Sequence, residues 1–156
     1  MKKTTGLALV LAAILGAGSG VRAAEPPLTE PPLTERPLYE RLGGMPAIRA
    51  VVDGLLERIQ KDNRINAWFG FAANPQSAAS YKASLADFVC QATGGPCKYR
   101  GPDLKTVHTG MAITPDAFKA VVEDLTAALD QLKVPAAEKN ELLGLLAPLQ
   151  SQIVEQ

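Results

Sequence analysis

A single histidine, His108, serves all 156 residues, and the aromatic set is thin: one tryptophan, three tyrosines and four phenylalanines. Chemistry that needs two imidazoles from one chain is therefore excluded. Charge of one sign is also missing, because 16 basic and 16 acidic side chains are mixed along the chain. That leaves no electrostatic footprint for nucleic acid or for an anionic membrane. The apolar run from Gly6 to about Ala17 falls well short of the ~20 residues that a spanning helix needs, so no membrane insertion of the mature domain is expected. No strand-like alternation of useful length follows Leu38. What is present, at 47% hydrophobic residues, is enough apolar material for one domain with a real core, which sets disorder aside.

The N-terminus has a plan of its own. Lys2-Lys3, the apolar run and then small residues up to Val21-Arg22-Ala23-Ala24 follow the order of a secretory signal peptide. Val21 and Ala23 fit the two small-residue positions ahead of a cleavage site. Residues 1–23 are expected to be removed on export, leaving a periplasmic or otherwise exported protein. An uncleaved anchor at the outer face of a membrane is the alternative. A repeat follows: Pro26-Pro27-Leu28-Thr29-Glu30, then Pro31-Pro32-Leu33-Thr34-Glu35, then the looser Arg36-Pro37-Leu38-Tyr39-Glu40. Proline at this density fixes φ and removes amide donors, so residues 24–37 are expected to be an extended, unpacked spacer.

From residue 38 to 156 helical periodicity dominates, and the fold class expected is all-α. One helix starts after Gly43-Gly44, with Pro46 in its first turn and Ile48, Val51, Val52, Leu55, Leu56 and Ile59 on one stripe. A short segment from Ile65 to Phe71 carries Trp68, Phe69 and Phe71, which suits either core or a wall for a flat apolar cofactor. After a loop over Ala73 to Ser77, a second long helix buries Ala78, Tyr81, Leu85, Phe88, Val89 and Ala92 and stops at Gly94-Gly95-Pro96. Thr114-Pro115-Asp116 opens another, with Phe118, Val121, Val122, Leu125, Leu129 and Leu132 on its stripe. The last helix carries Leu142, Leu143, Leu145, Leu146, Leu149 and Ile153, and Pro148 should kink it.

His108 lies in a short amphipathic segment with Leu104, Val107 and Met111 on the same apolar face. Such an imidazole is either a core residue satisfied by backbone partners or an axial ligand to haem iron, which neutral imidazole commonly binds.

The order Leu38-Tyr39-Glu40-Arg41-Leu42-Gly43-Gly44, Thr93-Gly94-Gly95-Pro96 and Leu104-Lys105-Thr106-Val107-His108-Thr109-Gly110-Met111 resembles the truncated haemoglobins of the first group. Glycine pairs alone mark turns in any fold; both pairs in step with Tyr99, His108 and Ile113 are far more specific. The resemblance runs from about Leu38 to Val154. It implies a two-over-two helical sandwich, related to the globin fold, that holds haem b between the Tyr81 helix and the His108 segment. By it, His108 is the proximal iron ligand and Phe69 packs on the haem face.

With no Cys-x-x-Cys-His pattern before His108, haem should be held noncovalently. The distal positions are Leu56, Tyr81 and Leu85, where the first group commonly has tyrosine at the first and often glutamine at the last. Tyr81 is then the only phenol placed to donate to bound dioxygen, unless its hydroxyl simply faces water. Lys82 or Tyr81 could also ligate iron themselves. Lys82, Arg100 and Lys105 are candidates for pairing with the haem propionates, with Lys105 preferred because it lies one turn from His108. Cys90 and Cys97 flank the glycine stop, and in an exported protein they are expected to form a disulfide; a buried Cys90 with a free Cys97 is the alternative.

The function implied is reversible binding of a diatomic gas, dioxygen or nitric oxide, at a five-coordinate iron. The alternatives are a haem enzyme, a nitric oxide dioxygenase or peroxidase, which would need an electron donor the sequence does not identify, or a haem-free helical interaction module. The thin distal polar set argues against the enzyme, because charge developing on oxygen needs preorganised donors.

Overall fold

Residues 32–155 are described by the computed structural model; the signal peptide expected over 1–23 and the spacer up to residue 31 lie outside them. The described end of the spacer is only partly extended. Pro32, Arg36 and Pro37 have polyproline-like angles, but Leu33–Glu35 coils into a 3-10 turn between them. A one-turn helix, α1 (Leu38–Arg41), then leads through Gly43 at φ 99° into α2 (Gly44–Ile59).

Apolar side chains on two flanks of α2 set the architecture. Ile48 and Val52, one turn apart, pack on Ala86 and Cys90 of α3 (Pro75–Ala92). Val51, Leu55 and Ile59 pack instead with Leu125 and Leu129 of α5 (Pro115–Gln131) and Leu142 of α6 (Ala136–Leu146). Each aliphatic so buried contributes about 1.5–3 kcal/mol relative to exposure. A helix buried on both flanks joins two pairs, α2 with α3 and α5 with α6, into the expected two-over-two sandwich. Among the described residues every regular element is helical, and no helix is long and apolar enough to cross a membrane.

Three boundaries differ from the periodicity reading. The helix α3 starts directly at Pro75, because the Asn74 side chain accepts from the amides of Gln76 at 2.9 Å and Ser77 at 3.1 Å, and Pro75 has no amide to satisfy. The helix α5 starts as expected, with the Thr114 hydroxyl accepting from Ala117 N at 3.1 Å, but ends at Gln131, so Leu132 leaves the buried stripe and is 43% exposed. The last helix is broken at the expected proline, Pro148: α6 ends at Leu146, Ala147–Leu149 forms a 3-10 turn, and α7 (Gln150–Ile153) comes after it. Leu145 in α6 is likewise exposed.

Both glycine pairs converge on one ring. A Cβ on Gly44 would stand 3.6 Å from the Tyr39 hydroxyl, and one on Gly95 would stand 2.5 Å from Tyr39 Cδ2 and 2.8 Å from Cys90 O. Tyr39 is also bonded to both helices, its hydroxyl accepting from Met45 N at 3.1 Å and its amide donating to Thr93 O at 2.8 Å. Beside it Cys90 and Cys97, seven positions apart, form the expected disulfide with a Cα separation of 5.8 Å. Gly95→Ala should therefore destabilise the fold by about 1–3 kcal/mol in urea denaturation. Gly144→Ala in α6, where an added Cβ meets nothing within 4 Å, should instead stabilise by about 0.5–1 kcal/mol. Reducing the disulfide should cost about 2–3 kcal/mol by the chain-entropy relation for so short a loop.

Candidate functional site

Asp103 creates the short helix that carries the histidine. Its carboxylate accepts from Thr106 N at 2.9 Å and from the Thr106 hydroxyl at 2.6 Å, capping α4 (Leu104–His108). Those same hydrogen bonds hold the Asp103 carboxyl below the usual carboxylate range. One turn on, the His108 ring places Nδ1 2.7 Å from Leu104 O. A carbonyl only accepts, so this bond puts a proton on Nδ1, and in the neutral ring the lone pair is then on Nε2. The helix α4 packs on α7, and none of its residues is buried. Val107, expected on an inward apolar face, is 38% exposed. With α7 as the main support of α4, that face of Val107 is exposed apolar surface of the polypeptide.

The aromatic segment forms a 3-10 stretch, Asn66–Ala73, broken at Phe69 (φ −106°, ψ 18°). The break gathers three rings. Phe69 stands edge-on to Tyr81 of α3 at 5.9 Å between centroids, and Phe71 lies 5.1 Å from Tyr81 and 6.0 Å from Phe69. Phe71 is 40% exposed, so the cluster presents apolar surface and is not simply core. Desolvation pushes the Tyr81 phenol up to about 12, which keeps it a neutral donor at ordinary pH. Leu56 of α2 is buried, and Leu85, one turn along α3 from Tyr81, packs against both halves of the core.

One bond that periodicity does not reveal joins the two parts. Trp68 Nε1 donates to Met111 O at 2.8 Å, tying the segment that carries Phe69 to the loop behind His108. Trp68 thus serves as a donor where the sequence suggested core or a wall. Lys82, weighed as an iron ligand, places its ammonium 2.8 Å from Asp53 of α2, which occupies that charge in an inter-helix pair. Lys105 and Arg100 are exposed.

Among the described residues no group of three or more histidine, cysteine, aspartate or glutamate side chains could cage a metal ion. A lone imidazole whose Nε2 is left without a protein partner among the described hydrogen bonds, next in sequence to the exposed Val107, fits instead a metal carried in a flat apolar ring. Two crossed helix pairs with such a histidine on a short separate helix define a shortened globin.

Comparison with known proteins agrees. The bacterial-like globin family matches residues 37–155. The group 1 truncated hemoglobin GlbN of Mycolicibacterium paratuberculosis is 33% identical over 113 residues, spanning 72% of this chain and 80% of that protein. GlbN of Synechocystis, also a group 1 truncated hemoglobin, is 35% identical over 99 residues, 61% of this chain and 77% of its own. The crystal structure of truncated hemoglobin from Tetrahymena pyriformis in its Fe(III) form superposes with a TM-score of 0.70 at 27% identity, covering 78% of this chain and all of that one. The chain belongs to the bacterial-like globin family and, within it, to the group 1 truncated hemoglobins. Globins of this family are haem proteins.

The Tyr81 shift has a sign that titration can read. Because the folded phenol ionises near 12 and the unfolded one near its ordinary 10.0, the unfolded chain releases its proton first as pH rises. Stability should therefore fall between pH 10 and 12 through this group, and Tyr81→Phe should flatten that part of a plot of urea midpoint against pH.

Proposed function

We propose that this chain binds haem b noncovalently, that His108 Nε2 would hold the iron, and that the haem would supply a site for reversible binding of a diatomic gas, dioxygen or nitric oxide. The observation that carries this reading is the Nδ1 bond to Leu104 O at 2.7 Å, which puts a proton on Nδ1 and so reserves Nε2 as the nitrogen that a metal would use. Haem supplies an iron atom at which a small gas binds. Phe69 packs on the ring face, and Lys105, exposed one turn before His108, pairs with a propionate.

Leu56, Leu85 and Tyr81 form the wall on the gas side. Two of the three are hydrocarbon, and Tyr81 alone offers a hydrogen bond, protonated across the working pH range. A pocket with one donor holds a neutral gas loosely and offers little to stabilise charge developing on oxygen, which favours binding over oxidative turnover. We place the protein outside the cytoplasm, a reading supported by the signal-like N-terminus and by the Cys90–Cys97 disulfide.

Two variants test the site. The full chain supplied with haem should show a strong Soret band that His108→Ala loses or shifts; if neither protein takes up haem, the reading fails. Tyr81→Phe should keep that band and speed dioxygen release about fivefold, the value of one neutral hydrogen bond at about 1 kcal/mol. An unchanged release rate in stopped-flow would remove the donor role. Rapid mixing of the oxygenated protein with nitric oxide separates binding from dioxygenase turnover.

A further inference from the structure

The loop behind His108 is held by a residue far along the chain. Both carboxylate oxygens of Glu155 accept backbone amides there, one from Gly110 and the other from Ala112 at 2.8 Å. Its own amide donates to Ile113 O at 3.1 Å, so one residue makes three bonds within the four-residue stretch Gly110 to Ile113. The loop needs such support. Gly110 is left-handed at φ 82°, and Ala112 holds φ 50°, a geometry that a residue with a side chain keeps only when its neighbours enforce it. From the other side Trp68 Nε1 bonds Met111 O at 2.8 Å, and Met111 N in turn donates to His108 O at 3.1 Å.

The helix α4 has only five residues, too few to hold its own shape in water. Its geometry is imposed at its two ends, by the Asp103 cap in front and by this clasped loop behind, and His108 is the residue at the clasped end. The packing of α4 on α7, two residues before Glu155, gives the clasp a firm base.

We propose that Glu155 is the positioning residue for His108: by binding the amides of Gly110 and Ala112 it sets the tilt of the imidazole toward the haem iron. This rests on the haem reading above, and the test keeps the two separable. Full-length Glu155→Ala, Glu155→Gln and, as a control on the exposed side of α7, Gln152→Ala are loaded with haem and compared with wild type. Amide exchange at Gly110 and Ala112 should quicken about tenfold or more in Glu155→Ala. It should quicken less in Glu155→Gln, which keeps one carbonyl acceptor. The ferrous iron–histidine stretching band in resonance Raman should shift in the same order, with Gln152→Ala matching wild type in both readouts.

Faster amide exchange with an unmoved stretching band would overturn the proposal, because the clasp would then be structural only; so would unchanged exchange. If the alanine variant does not fold, the glutamine variant decides. Should no form take up haem, the haem reading fails on its own. The ring nitrogen signals of His108, free of overlap because the chain has no other histidine, then decide. A move away from the Nδ1–H tautomer in the Glu155 variants supports the positioning role, and identical tautomer populations end it.

Discussion

The contact on which the rest of the molecule depends is the Tyr39 ring wedged between the start of α2 and the end of α3. Its hydroxyl and amide are bonded to Met45 and Thr93, and it is approached by Gly44, in ordinary contact, and by Gly95, where a larger residue would collide. That wedge fixes how α3 lies on α2, and α2 in turn carries α5 on its other flank. The disulfide beside it adds a covalent stop at the same corner. Everything the site needs hangs from this corner: Tyr81 and Leu85 along α3, Leu56 on α2, and the chain that leaves Cys97 to build α4.

The two parts of the candidate site are built by different means. Leu56, Tyr81 and Leu85 stand on long helices, so their placement is a by-product of the core and should be rigid. His108 stands on a five-residue helix whose shape depends on caps and loop bonds. Under the proposed haem reading the first set would govern access and polarity, and the second the geometry at the metal. The Trp68 bond to Met111 O is the direct hydrogen bond between the two, reaching from the segment of Phe69 to the loop behind His108.

Much of this was legible before any coordinates. Burial stripes on α2 and α5 repeat at helical spacing because each helix buries a face, and Thr114 announces its helix locally. The glycine pairs and His108 were legible as a family pattern, though the Tyr39 ring that meets one glycine of each pair was not. The pairings that stayed hidden join residues distant in sequence. Trp68 with Met111 and Ala112 with Glu155 are each 43 positions apart, and no local spacing encodes such a pairing. The start of α3 was missed for a different reason: Asn74 reads equally well as a loop residue or a cap, and only its bonds to two amides decide. Val107 was misread because helical spacing gives the face of a residue but not whether anything lies over it.

The break at Pro148 is more than an interruption. Pro148 has no amide proton to continue the α-helical ladder, so α6 stops and Ala147–Leu149 winds as a 3-10 turn before the chain resumes as α7. The proline acts as a joint between two pieces. Leu142 of α6 stays in the core on one side of it, while α7 on the other packs on α4. One residue without an amide proton thus divides the helix that serves the core from the C-terminal turn that serves the histidine helix.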